Sequence, residues 1–244
     1  IGLYAKISGV FLGQNSYVSA AKYLDEGIAQ AEKELQQNKV EGQAKTKIRS
    51  GLMRLYSNKG IAYDDHSDYP NALLYYNKSM KIAMDMKDQK GMASCYNNMG
   101  MVYQNLSQNP KALECFTKAL KIREELKDID GIAICYNNIG VLYYVMKNLS
   151  KALEYYNKAL KIRVDQNNEG GMASCYMNID IIYQEEQKHD LALLNFKKAL
   201  GYATRLNLLR GMAMCYNNMG ISYQRMGRTE EATRHYIKSI EIAK

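Results

Sequence analysis

The chain is 244 residues long and 47% hydrophobic, with 21 tyrosines, two prolines and no tryptophan, which describes a helix-rich chain with aromatic packing. No apolar run approaches the roughly 18 to 20 residues of a membrane helix. The opening IGLYAKISGVFLG lacks the basic stretch and long apolar core of a secretion signal, although one removed before residue 1 would leave no trace. The formal charge of +8 is dispersed along the chain, so a solvated surface is expected in preference to a nucleic-acid or anionic-membrane patch.

In chain order, Tyr4, Ile7, Ser8 and Phe11 come first, spaced by three, one and three, so that they share one helical face. Ala20, Leu24, Gly27 and Ile28 form a second face. From residue 53 the same spacings return with a fixed period of 40: GMASCYNNMG at 91–100 becomes GIAICYNNIG at 131–140, GMASCYMNID at 171–180 and GMAMCYNNMG at 211–220. The expected organisation is a divergent unit at 1–52 and five repeats at 53–92, 93–132, 133–172, 173–212 and 213–244. Ala20 to Ala72 spans 12 residues more than the period, and the surplus falls in EKELQQNKVEGQAKTKIRSG. It is expected to lengthen a helix by up to about three turns, and to bend the array or cap its N-terminal end.

Within one repeat, Tyr96, Met99, Gly100 and Tyr103 lie on one face, and a second helix follows Pro110, which suits a first helical turn. That helix carries Ala112, Phe116 and Ala119 toward the first. Glycine inside a helix costs about 1 kcal/mol against alanine, so its recurrence at 60, 100, 140 and 220 implies a close crossing. Ala112, Ala152, Ala192 and Ala232 are expected to face it. The fourth repeat departs, with Met177 in place of an asparagine and Asp180 in place of the crossing glycine. An aspartate there should spread the helices or turn to water, giving a local irregularity.

Cys95, Cys135, Cys175 and Cys215 share one repeat position. Stacked helices lie about 8 to 10 Å apart, too far for equivalent cysteines to bridge, so they read as small buried hydrophobes and favour a reducing, cytoplasmic compartment. An extracytoplasmic segment of a larger sensor is the other location considered. The last repeat reaches Lys244 without a polar capping helix, which solenoids usually need. That is expected of a segment of a longer protein or of a chain that pairs with another copy.

The spacing resembles the tetratricopeptide repeat, on Tyr136, Ile139, Gly140, Tyr143, Ala152, Tyr156 and Ala159, and again on Tyr216, Met219, Gly220, Tyr223, Ala232, Tyr236 and Ser239. The period of 40 instead of 34, and the lack of a proline late in the second helix, are departures. The resemblance implies an all-α right-handed superhelical solenoid of stacked antiparallel helix pairs, with the first helices lining a concave groove. Similar 40-residue arrays occur in bacterial signalling proteins, the kinesin light chain and polarity adaptors.

Asparagine is a mediocre helix former, yet Asn58, Asn98, Asn138, Asn178 and Asn218 recur two residues after the first aromatic. On the resemblance this row lies in the groove, where each amide offers donors and an acceptor to an extended peptide backbone. Repeats about 10 Å apart and a strand rise of about 3.3 Å match one asparagine to three ligand residues. Beside it runs an apolar row, Ile61, Met101, Val141, Ile181 and Ile221. One turn on, Asp65, Asn105, Val145, Glu185 and Arg225 diverge, where partner choice is expected. The competing reading is that the asparagines bond only neighbouring repeats. A carboxylate clamp is begun by Arg54 with Asn58 and Asn98, but fails at Ile134 and Asn138.

His66, His189 and His235 stand on different repeats without partners at metal-ligand spacing, and no phosphate loop or nucleophile motif occurs. Reading RNA would require groove cations, for which only Arg54, Arg225 and at most Lys6 qualify. The expected function is therefore non-enzymatic and needs no cofactor or metal. It is a module holding a protein or extended peptide, as the sensor or scaffold part of a signalling or assembly protein. The alternative is a structural scaffold that self-associates through its ends or faces.

Overall fold

The computed structural model describes residues 1–13, 17–36 and 41–243, without the side chains of residue 7 and residues 9–13 and 17–20. The side chains of Ile7, Phe11 and Ala20, and residues 37–40 of the surplus segment, therefore lie outside the described residues. Those described form twelve helices and no strand: α1 (Gly2–Gly13), α2 (Tyr17–Gln36), α3 (Gly42–Asp65), α4 (Tyr69–Asp85), α5 (Gln89–Asn105), α6 (Asn109–Glu125), α7 (Ile129–Val145), α8 (Leu149–Asp165), α9 (Glu169–Glu185), α10 (His189–Arg205), α11 (Leu209–Arg225) and α12 (Thr229–Ala243).

The 40-residue period has a simple origin. Each helix from α4 to α11 has 17 residues and each loop between them three, so two helices with two loops fill one period. The loops are built alike. After α3, the Ser67 N–H bonds the Asp64 carbonyl at 2.8 Å and the Asp68 N–H bonds the Tyr63 carbonyl at 2.9 Å, the paired closure of a helix end. Ser67 sits at φ 59°, and Lys87, Ser107, Lys147, Asn167, Gln187 and Asn207 take the same left-handed conformation, which costs a side-chain-bearing residue roughly 1–2 kcal/mol. The next residue then begins the following helix. Asp68, Asp88, Asp128, Asn148 and Asn168 each accept from the N–H three residues on, so one residue closes a helix and caps another. The surplus near residue 40 appears as length: α2 has 20 residues and α3 has 24.

The chain forms two compact units, Ile1–Lys127 and Asp128–Lys244. In the first, Leu24, Ala31, Leu55 and Ala62 pack α2 against α3, and Ala72, Tyr76 and Val102 pack α4 against α5. In the second, Ala152, Tyr156, Ile179 and Ile182 join α8 to α9, while Phe196, Met219 and Tyr223 join α10 to α11.

At each crossing glycine the nearest neighbour is an aromatic ring. A Cβ on Gly100 would stand 2.6 Å from the Phe116 ring, and Gly60, Gly140 and Gly220 meet Tyr76, Tyr156 and Tyr236 in the same way. The ring lies against the glycine, and Ala112, Ala152, Ala192 and Ala232 are buried on the same helices. Tyr96 and Tyr103 are half-buried; their faces are covered by Lys118 and Lys111, at 5.5 and 5.4 Å from the ring centroids. The first of these pairs repeats as Lys78 on Tyr56, Lys158 on Tyr136, Lys198 on Tyr176 and Lys238 on Tyr216, which gives part of the dispersed positive charge a packing role.

One expectation needs correction, at Asp180. Helix α9 runs unbroken from Glu169 to Glu185, and Asp180 is 0% exposed, so it neither spreads the helices nor reaches water. Neither carboxylate oxygen makes a well-formed hydrogen bond. Burial pushes its pKa up to about 8, against a smaller lowering from Asn195 and Lys198. At neutral pH the group is mostly protonated, which is how an acid is tolerated at this position.

All five cysteines are buried free thiols. Burial pushes Cys175 up to about 11 and Cys215 to about 12.

Candidate interaction surface

Within each unit the first helices carry the asparagine and apolar residues at equivalent repeat positions. In the first unit, Asn58 on α3 donates through Nδ2 to the Ala5 carbonyl at 3.0 Å and to Ser8 Oγ at 3.1 Å. It therefore joins α3 to α1. Asn98 on α5 is half-buried, Ile61 is half-buried, and Met101 is 44% exposed. Asn105 donates to Asp64 Oδ1 at 3.3 Å; burial raises the Asp64 pKa, and that bond partly offsets it. Arg54 and Asp65 are exposed, and Arg123 donates to Ser94 Oγ at 2.9 Å.

In the second unit, Asn178 on α9 donates to Asn137 Oδ1 on α7 at 2.8 Å. Asn138, Asn218, Val141, Ile181 and Ile221 are half-buried, and Val145, Glu185 and Arg225 are exposed. Arg225 donates to the Gln184 carbonyl at 3.1 Å. Gln184 in turn donates to the Asn218 carbonyl at 2.9 Å and Ser222 Oγ at 2.7 Å, crossing from α9 to α11. Burial, and next the Glu185 charge, raise the Tyr144 pKa.

One rule orders these contacts. Asn105 to Asp64, Asn178 to Asn137 and Arg225 to Gln184 all span 41 residues, one period plus one. In one of them Asn178 reaches back to the first asparagine of the preceding repeat, Asn137. Such bonds between repeats are what the competing reading of the asparagine row expects. Met177 breaks the pattern: Asn218 has no asparagine at the position from which Asn137 serves Asn178.

The Nδ1 atoms of His66 and His235 lie 3.0 and 2.8 Å from carbonyls of their own helices. Among the described residues no cluster of three or more His, Cys, Asp or Glu is placed to hold a metal ion, and no helix is long and apolar enough to cross a membrane.

Helix pairs of this build, with Gly60, Gly100, Gly140 and Gly220 each under an aromatic ring, define an α-helical repeat protein of the protein-interaction class. The family model for the tetratricopeptide repeat matches residues 91–163 and 172–244, and the chain belongs to that family. No curated protein matches it. Among solved structures, BtubC (BKLC) from P. vanneervenii is similar at 21% identity and TM-score 0.73, covering 90% of this chain and 91% of that one. A STAND (Signal Transduction ATPase with Numerous Domains) protein with a tetratricopeptide repeat sensor, from Pyrococcus horikoshii, is 19% identical with TM-score 0.75; the match covers 96% of this chain and 35% of that one. The Rap conjugation gene regulator of plasmid pLS20, solved in complex with a Phr peptide, is 20% identical with TM-score 0.68, over 84% and 57% of the two chains. At these identities the likeness is one of fold.

Proposed function

We propose that the protein is a non-enzymatic module that holds an extended peptide along the side presented by its first helices, as the sensor or scaffold part of a signalling or assembly protein. The observation that carries this reading is the repetition, on successive first helices, of half-buried amides beside apolar side chains left in solvent, among them Met101, Ile134, Val145 and Met214. An asparagine whose Nδ2 serves a neighbouring repeat keeps an Oδ1 acceptor and a second N–H for a ligand, so a role in joining repeats and a role in binding are compatible. Each bond adds only about 0.5–1.5 kcal/mol net, so the rungs hold a backbone weakly and side-chain contacts must supply selection. The peptide-bound regulator and the sensor-bearing ATPase of the same fold are in keeping with this use.

The test is capture of peptides from a random library by the intact chain and by a variant with Asn98, Asn138 and Asn218 changed to Ala, with folding followed by circular dichroism. Loss of capture by the folded variant is expected. Equal capture by both would make the asparagines purely structural. A second reading, self-association, is favoured by Ile237 and Ile240 standing exposed on α12. It predicts a mass that rises with concentration and falls when both are changed to Ser.

A further inference from the structure

Successive interfaces within the second unit differ in how they are filled at the end of the second helix. Where α9 packs on α7 and α8, Arg163 near the end of α8 has a side chain only 12% exposed, and its guanidinium pairs with Asp130 at 2.6 Å. Its aliphatic stem fills the space that a Cβ on Gly171 would need. The void left beside it, lined in part by Ala133, Ile134 and Cys175, is about 170 Å³.

Forty residues on, both members of that plug are missing: Ala203 stands at the position of Arg163 and Gly170 at that of Asp130. Gly211, the counterpart of Gly171, meets only the Cβ atoms of Ala203 and Leu208, at 3.5 and 3.6 Å from where its own Cβ would lie. The interface of α9 and α10 with α11 consequently holds a cavity of about 510 Å³, lined by Ala173, Met177, Ala199, Leu208 and Met214 among others, with Arg210 the charged side chain at its wall. In the first unit the position of Arg163 is again an alanine, Ala83, yet there the Met53 sulfur lies 3.0 Å from where a Cβ on Gly91 would stand. The opening at Ala203 has no such replacement. Met177 in its lining is also the residue that denies Asn218 the acceptor given to Asn178, so the altered asparagine pair and the open cavity occur at one place.

We propose that this cavity is the side-chain specificity pocket of the binding surface. It takes a large apolar residue of an extended peptide, with a neighbouring acidic group held by Arg210. The volume falls within the roughly 300–1,000 Å³ of ligand pockets, and an apolar wall with one convergent charge is their usual make-up; a guanidinium selects for a carboxylate. This proposal rests on the peptide-binding reading above and adds where selection occurs and for what.

The test rebuilds the plug already present one repeat earlier. Ala203→Arg combined with Gly170→Asp should fold, because it reproduces the Arg163–Asp130 interface, and unchanged circular dichroism and melting check this. Two probes are used. One is a set of labelled nonapeptide pools with a central Leu, Met, Phe, Ser or Lys fixed beside Asp or Lys. The other is 1-anilinonaphthalene-8-sulfonate, an aromatic group joined to an anion, which reports the cavity without any peptide. The wild type is expected to favour apolar-acidic pools by about tenfold and to enhance dye fluorescence. The rebuilt variant should lose both, and Arg210→Gln should lose only the acidic preference. Equal dye and peptide binding by wild type and rebuilt variant overturns the pocket while leaving the asparagine surface standing. Dye binding that the plug abolishes, with no pool favoured by the wild type, overturns the peptide as its occupant.

Discussion

Replacing Asp180 with asparagine keeps the shape of a buried side chain and removes its titration. In the folded chain the carboxyl has a pKa of about 8 against an ordinary value of 3.8. Between those two values the unfolded chain has released the proton while the folded chain keeps it, so rising pH favours unfolding. The loss begins near pH 4, grows to about pH 8 and then levels off. Each pH unit is worth about 1.4 kcal/mol, so from pH 5 to pH 8 the contribution falls by about 4 kcal/mol. Absolute stability of the variant also carries the cost of burying an amide without partners, about 1–3 kcal/mol, and is the poorer readout. The informative quantity is the difference between wild type and Asp180→Asn in urea unfolding followed by circular dichroism at pH 5, 7 and 9. Asp64 and every other titrating group are common to both proteins and cancel. The variant is expected to gain on the wild type by several kcal/mol as pH rises across this range. A difference that stays level with pH would refute the reasoning, because it would mean that Asp180 is ionised in the folded chain at little cost.

Other expectations follow from the close contacts. Gly100→Ala forces a methyl to within 2.6 Å of the Phe116 ring and should cost about 1–3 kcal/mol. Gly201→Ala, in the middle of α10 with nothing within 4 Å, should stabilise by up to about 1 kcal/mol; thermal melts of the pair would show opposite shifts. Lys147→Gly, at φ 60° in a loop, should raise the melting temperature by an amount equivalent to roughly 0.5–1 kcal/mol, and a lowered one would mean that the lysine's cation–π contact with Tyr144 outweighs backbone strain. Cys175 and Cys215, with thiols held well above their usual range by burial, should react with a disulfide reagent at pH 8 only at the rate of unfolding.

The helix pairs and their family were legible because both rest on spacing: Tyr136, Ile139, Gly140 and Tyr143 make one helical face whatever their surroundings. What each residue touches was less accessible. Gly100 reads as a site of close approach from its cost in a helix, but that the Phe116 ring is what lies against it is not given by spacing. Asp180 was expected in water, since a charged acid belongs there; the structure keeps it dry and mostly protonated, and a sequence does not display protonation. For Asn58 and Asn178 the sequence leaves open both an exposed rung and a bond between repeats, and the partner of each lies on another helix, 53 and 41 residues away. The cavity beside Ala203 was invisible for a related reason, since it exists only by comparison with what Arg163 fills one repeat earlier.

The 41-residue bridges have a consequence for how such a surface can change over generations. A side chain on one first helix is gripped by, or grips, a side chain on the next, so a substitution that alters what a ligand meets also strips a partner one period away. Binding preferences in this array should therefore evolve as paired replacements, Asn137 together with Asn178 or Asp64 together with Asn105, and related chains with different ligands should carry correlated differences at that separation.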